Sequence, residues 1–280
     1  MIVSDLHNHT TFSHDGMQEI EEAVETAYRT ELRYFGISEH FDYDYIFNRV
    51  RFQDGKPPFM TDADAYFTKA RKIQKAYQGK KTEILVGAEF GFAEDEATFK
   101  KYLETYEKYR PDYVINSVHS HYGSEFCDED FLDANGNLRK KRDIVLEYLT
   151  LVKKSLSVPY PYDIVGHISY LCRYLKQEDK SIAYEEYKAE YDEIFKEIIQ
   201  KDKILEINTA SKNLPFDFLP RADVVKGYYD LGGRKISFGS DAHDSFRIGE
   251  KRDLVEKALK EIGFEGITVP KNGEHILVKF

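Results

Sequence analysis

The chain has 280 residues, 41% hydrophobic and 32% charged, with a net charge of -10 and only two cysteines, Cys127 and Cys172. That length suits one barrel-sized globular core, and so few cysteines leave no disulfide framework, so a reducing, cytoplasmic setting is expected. The acidic balance argues against a nucleic-acid surface, which needs clustered Lys and Arg, and no apolar run suits a bilayer span or a signal peptide.

Short apolar runs alternate with longer amphipathic stretches. Residues 2–6 predict a strand, and the segment after it predicts a helix over 20–30, whose Glu-rich start suits a helix N-terminus. A strand over 34–38 comes next, then an aromatic and polar loop through Phe59 and a helix over 62–77. Strands over 83–87 and 113–118 flank a charged helix near 94–109. Further strands over 163–165, 204–207 and 235–238 alternate with helices near 143–156, 184–200 and 253–262. No low-complexity linker or short-period repeat interrupts the pattern, which predicts a single α/β domain over residues 1–280. The sheet is expected to be parallel, either open and doubly wound or closed into a barrel.

Both arrangements put reactive residues at the carboxyl ends of the strands. Here those ends read LHNH, ISEH, GAE, SVHSH, VGH, EINT and GSDAH, and of the nine histidines only His275 falls outside such clusters. Residues two apart in an extended segment point the same way, so His7 and His9 can grip one ion together, and Asp241 with His243 repeats the arrangement. Glu89 adds a carboxylate able to bridge two metals, and Asp15 stands one short loop beyond the first pair. Taken singly, each has a plainer reading: His40 or His167 as a hydrogen-bonded structural histidine, Glu89 as a lysine's partner, Asp241 as a helix cap. Independent core histidines would not all fall at the same end of successive strands, so the joint pattern predicts a metal site. Imidazole and carboxylate without thiolate suit zinc, iron or manganese in a catalytic role. Asp5 and Glu39, close before histidines, could orient those imidazoles from behind.

In order along the chain, DLHNHTTFSHDG, ISEH, the glutamate of GAEFGFA, SVH, VGHISYLCRY, EINT and GSDAH resemble the polymerase-and-histidinol-phosphatase (PHP) family. The resemblance runs from Asp5 to His243 and implies a distorted (β/α)7, TIM-barrel-like fold carrying two to three divalent transition-metal ions. It implies that His7, His9, Glu89 and Asp241 hold one metal, that Glu89 bridges to a second held with His119 and His167, and that Asp15, His40 and His243 hold the third. The length, the GH-x5-RY segment and EINT are most similar to the histidinol-phosphatase branch, which acts late in histidine biosynthesis. EINTASKN departs from that branch's usual EINTSGLR just after Asn208.

The activity so implied is hydrolysis of a small phosphate monoester, L-histidinol phosphate. Metal ions would neutralise the phosphate oxygens and acidify a water, lowering its pKa from 15.7 toward ~7. Asp241 and His14 are the candidates for protonating the leaving oxygen, and the sequence does not choose between them. Arg173 and Asn208 are the substrate-binding candidates, because a guanidinium grips phosphate oxygens at two points in a way a lysine cannot copy. Two other readings stand beside this one: the same site acting on another small phosphate, a phosphoprotein or a nucleic acid, and a non-catalytic metal store. The stretch over residues 41–61 is too long for an ordinary connection, and its aromatic content suggests a lid over the barrel mouth.

Overall fold

The computed structural model describes residues 1–47, 51–52, 58–121 and 123–280. Eight strands form one parallel sheet: β1 (Ser4–Asp5), β2 (Tyr34–Ile37), β3 (His40–Phe41), β4 (Glu83–Gly91), β5 (Tyr113–Ser117), β6 (Ile164–Val165), β7 (Ile204–Asn208) and β8 (Ile236–Gly239). The path runs β1-β2-β4-β5-β6-β7-β8, with β3 paired to β4 beside it. The ends of that path meet. Leu6 donates its backbone N–H to Phe238 O at 3.0 Å, Asp241 to His7 O at 2.8 Å and His9 to Ala242 O at 2.9 Å. These bonds close the sheet into a seven-stranded barrel, distorted where β1 and β6 shrink to two residues each.

Helices cover the outside of the barrel. Helix α1 (Ile20–Arg29) buries Ile20, Ala23, Val24 and Ala27, a spacing that lays one apolar stripe against the sheet. After it come the short α2 (Tyr43–Phe47) and α3 (Ala63–Tyr77), then α4 (Glu96–Tyr109), α5 (Lys141–Ser155) and α6 (Lys188–Gln200). Asp62 and Asp95 cap α3 and α4, accepting from Ala65 N at 3.0 Å and Thr98 N at 2.8 Å. Helices α7 (Ala222–Asp230) and α8 (Arg252–Ile262) follow. The chain then ends in an antiparallel hairpin, β9 (Gly266–Lys271) and β10 (Glu274–Lys279). Among the described residues no helix is long and apolar enough to cross a membrane.

The expected elements are present with shifted ends, and four were not anticipated: β3, α2, α7 and the terminal hairpin. Strand β3 matters most for the site. The chain leaves the sheet at Ser38 and Glu39 and rejoins on the same neighbour, pairing His40 with Glu89 and Phe41 with Phe90. The hairpin did carry a signal, Asn272-Gly273, whose two positive φ angles (55° and 78°) are those a tight two-residue turn requires.

Tyr113 plugs the barrel's interior. A Cβ on Gly87 would lie 2.3 Å from its ring, so only glycine leaves room there, and its hydroxyl donates to Leu6 O at 2.5 Å. The side chain thus packs on β4 while tying β5 to β1. We expect Tyr113→Ala to lower unfolding stability by about 3–5 kcal/mol, the cost of an aromatic-sized cavity, read as a shift in the denaturant midpoint.

Candidate metal centre

His7, His9, Glu89, His119, His167, Asp241 and His243 all sit at or just past the carboxyl ends of strands, which gathers them at one mouth of the barrel. In the segment after β1, the Asn8 carboxamide turns away to Gly36 O at 3.1 Å while His7 and His9 face inward. Asp241 adopts a left-handed backbone with φ 52°, a conformation that costs a non-glycine residue about 1–3 kcal/mol. Its N–H bond to His7 O locks it beside the first pair.

The donor atoms converge on Glu89, whose two oxygens address different neighbours. Oε2 lies 3.2 Å from His7 Nε2 and 3.6 Å from His9 Nε2, and Asp241 Oδ1 completes that group, 3.4 Å from His9 Nε2 and 3.8 Å from His7 Nε2. Oε1 lies 3.0 Å from both His119 Nε2 and His167 Nε2, which stand 3.4 Å from each other. A third group lies outward: Asp15 Oδ2 is 2.9 Å from His243 Nε2, and Oδ1 is 3.7 Å from His40 Nε2. His40 also turns Nδ1 toward Glu89 Oε2 at 2.9 Å.

Ligands held about 2 Å from a shared ion stand about 3–4 Å from one another, which is the spacing of these groups. His7 Nε2, His9 Nε2 and Glu89 Oε2 are fully buried and make no hydrogen bond. Stranding buried polar atoms in this way is costly unless a cation meets them. The donor set therefore fits metal ions, and its mixture of imidazole and carboxylate suits zinc and other borderline divalent ions.

Charge tells the same story. Burial alone would raise Glu89, but the imidazoles of His7, His119 and His40 hold it well below the usual carboxylate range. Burial would likewise raise Asp241, and His7, His9 and Arg173 outweigh it. Burial acts to lower His40, yet Glu89 and Asp15 push it up to about 9. His9 goes the other way, driven well below its ordinary value by burial and by neighbouring His40 and His243. The carboxylates are thus ionised at neutral pH, and the anionic centre calls for cations.

Above Glu89, the side chains of Asp15, His40, His119, His167, Asp241 and His243 floor a cavity of about 220 Å³ whose wall adds Tyr170, Arg173, Ala210, Lys212 and Arg247. Arg173 is buried, not a surface residue, and it donates to Asp241 Oδ2 at 3.0 Å and Asn208 Oδ1 at 3.1 Å over the Tyr170 ring. Asn208 is fully buried behind it, outside the cavity lining, and its Oδ1 also accepts from Ala210 N at 2.9 Å. His14 does not line the cavity either. It lies beside His40, ring centroids 5.6 Å apart, with Phe59 edge-on at 6.4 Å. His121, although at a strand end, faces Glu147 instead, with Nε2 3.2 Å from Oε2.

A sequence profile of the PHP domain matches residues 5–210. The chain belongs to this family. Among PHP relatives, the Lactococcus lactis protein named "Histidinol-phosphatase" is 29% identical over 280 residues, covering 97% of this chain and 98% of that one. A Clostridium acetobutylicum protein named "Probable histidinol-phosphatase" is 31% identical over 89% of each chain. A crystal structure of the histidinol phosphate phosphatase from Lactococcus lactis, complexed with zinc, L-histidinol and phosphate, superposes with a TM-score of 0.80. It is 26% identical and covers 98% of this chain and 99% of its own. A Listeria monocytogenes structure, 23% identical with a TM-score of 0.70 over 90% of this chain and 99% of that one, repeats the fold.

Within this PHP barrel, the residues that hold the imidazoles in place were mostly missed from sequence. Glu206, in the middle of β7, accepts from His7 Nδ1 at 2.5 Å and from the His167 backbone N–H at 2.7 Å. That contact aims His7 Nε2 at Glu89. A carboxylate inside the otherwise apolar run ILEIN was the available signal. Asp42 does the same for His119, meeting Nδ1 at 2.8 Å. Glu39 reaches His9 at one remove: it accepts from Ser13 Oγ at 2.5 Å, and Ser13 Oγ lies 3.3 Å from His9 Nδ1. Burial raises Glu39 to about 7 despite the hydrogen bonds from Ser13 and Thr10. Asp5 corrects the expectation made for it. It touches no imidazole and accepts instead from Ser240 N at 2.9 Å and Gly249 N at 2.8 Å, bracing the loop that carries Asp241.

Part of the stretch expected to form a lid, residues 48–50 and 53–57, lies outside the described residues. The rest is anchored beside the mouth. Thr61 Oγ1 donates to His40 O at 2.7 Å, and Arg51 donates its N–H to Gly123 O at 2.9 Å.

Partners that orient ligands in this way typically matter about 10- to 100-fold in metal affinity. We expect Glu206→Ala to weaken metal retention by that order, measured by elemental analysis after dialysis against a graded chelator, with the barrel's circular dichroism retained.

Proposed function

We propose that this chain is a metal-dependent phosphomonoesterase that hydrolyses L-histidinol phosphate to L-histidinol and inorganic phosphate. The observation that carries the reading is the convergence of imidazoles and carboxylates on Glu89, beneath a cavity that also presents Arg173. A relative of the same fold is solved with zinc, L-histidinol and phosphate together, which supports the choice of substrate.

In this reading His7, His9, Glu89 and Asp241 hold one ion, Glu89, His119 and His167 a second, and Asp15, His40 and His243 a third. Such ions supply Lewis acidity, offsetting the charge of the phosphate oxygens and lowering the pKa of a water to about 7. The chain's own residues do the rest. Arg173, whose guanidinium carbon lies 4.6 Å from the centre of the Tyr170 ring, presents its remaining N–H groups to the phosphate, with Tyr170 packed beneath it. Water attacks phosphorus as the bond from phosphorus to the alcohol oxygen breaks, and that oxygen must gain a proton. Asp241, which lines the cavity, would take up the proton that the attacking water loses and pass it to that oxygen. His14, the other candidate for this role, lies off the cavity wall beside His40.

Two outcomes are expected. Purified protein should carry two to three transition-metal ions per chain and lose activity on chelation, with Glu89→Gln the most damaging single change because its carboxylate faces two groups at once. Full activity in metal-free protein would remove the reading. Arg173→Lys should lose much of kcat/KM despite its charge, and Arg173→Ala more, by roughly 2–4 kcal/mol of transition-state stabilisation. Metal content measured alongside separates a direct grip on phosphate from the support that Arg173 gives Asp241.

A further inference from the structure

Three cationic side chains line the cavity: Arg173, Lys212 and Arg247. Two have their donors largely committed to the protein. Arg173 bonds Asp241 and Asn208, while Arg247 bonds Glu250 Oε2 at 2.8 Å and reaches the carbonyls of Asp241 at 3.5 Å and Ser240 at 3.4 Å. Lys212 differs. Among the described residues it has no carboxylate within ion-pair distance and no hydrogen bond from its ammonium.

Lys212 is exposed at the rim of the cavity that it helps to line, where its backbone is left-handed with φ 48°, a conformation that costs a non-glycine residue about 1–3 kcal/mol. Desolvation by the surrounding atoms and the charge of Arg173 act to lower its pKa, so an anion entering the cavity would relieve the repulsion between the two cations. The backbone there is held by the turn that follows β7, where Leu214 N donates to Ser211 O at 3.0 Å.

Building on the reading of the site as a phosphomonoesterase, we infer that Lys212 is a specificity-determining residue that binds the phosphate end of the substrate, supplying uncommitted N–H donors in the cavity that Arg173 also lines. An ammonium is a compact charge with three rotatable donors, so it can follow the phosphate oxygens as the group inverts, while the planar guanidinium of Arg173 stays fixed.

The test is calorimetric binding of inorganic phosphate and, separately, of L-histidinol to the metal-loaded protein, together with kcat/KM on histidinol phosphate. Lys212→Gln should weaken phosphate binding and lower kcat/KM by about 10- to 100-fold, the range of a hydrogen bond to a charged group. Histidinol affinity and melting temperature should stay unchanged, and Lys212→Arg should recover part of the loss. The inference is overturned if wild-type protein binds no phosphate, if phosphate affinity does not move in Lys212→Gln, or if both ligands weaken together. Should wild-type protein fail to hydrolyse histidinol phosphate while Lys212→Gln still weakens phosphate binding alone, the substrate reading falls and the role of Lys212 stands.

Discussion

Glu89 buries a carboxylate at the centre of the barrel mouth, and among the described residues no lysine or arginine meets it. Its neighbours are the Ser117 hydroxyl, which donates to Oε1 at 2.6 Å, and imidazoles from four different strand ends, within 3.6 Å of one oxygen or the other. An ionised carboxylate out of water needs compensation, and neutral imidazoles alone give little. One hydroxyl donor does not offset a full buried charge, so the arrangement favours cations, whether protons on the histidines or metal ions among them. Much else in the mouth serves that one requirement.

The barrel's closure is part of it. Because the last strand bonds to the first, Asp241 and His9 approach from opposite ends of the chain to face the same carboxylate. Asp5 braces that seam by holding Ser240 and Gly249, and Glu206 fixes the ring of His7 while also gripping the backbone of His167. Each of these acids is buried, and each works through hydrogen bonds that set an angle. A ligand imidazole left to rotate would lose entropy on binding an ion. One clamped at its far nitrogen has lost it already during folding.

The mouth is also polarised. Its floor is acidic and imidazole-rich, while Arg173, Lys212 and Arg247 stand along the wall. A chain with a net charge of -10 has thus concentrated positive groups where an anion would enter. Composition argued only against extended polyanions, since a cavity this small concerns local charge and not the sum over the surface.

The strand-by-strand rhythm and the histidines at strand ends were legible from the sequence, because side-chain periodicity and the geometry of parallel sheets are local rules. So was the type of chemistry, since imidazole and carboxylate without thiolate narrow the choice of ion. The pairing of His40 with Glu89 through β3 was not, because a two-residue strand has no periodicity to detect. Nor were the tasks of Glu206 and Asp42, which depend on contacts spanning 199 and 77 residues of chain. Arg173 shows the boundary well. Its position in GHISYLCRY marked it as a candidate, yet only the folded chain shows it buried against Asp241 and Asn208. Sequence by itself determined which atoms were available and at which end of the barrel they would lie. Tertiary structure decided which of them meet, because ring orientation and burial are set by residues far apart in the chain that closure of the barrel brings within 3 Å.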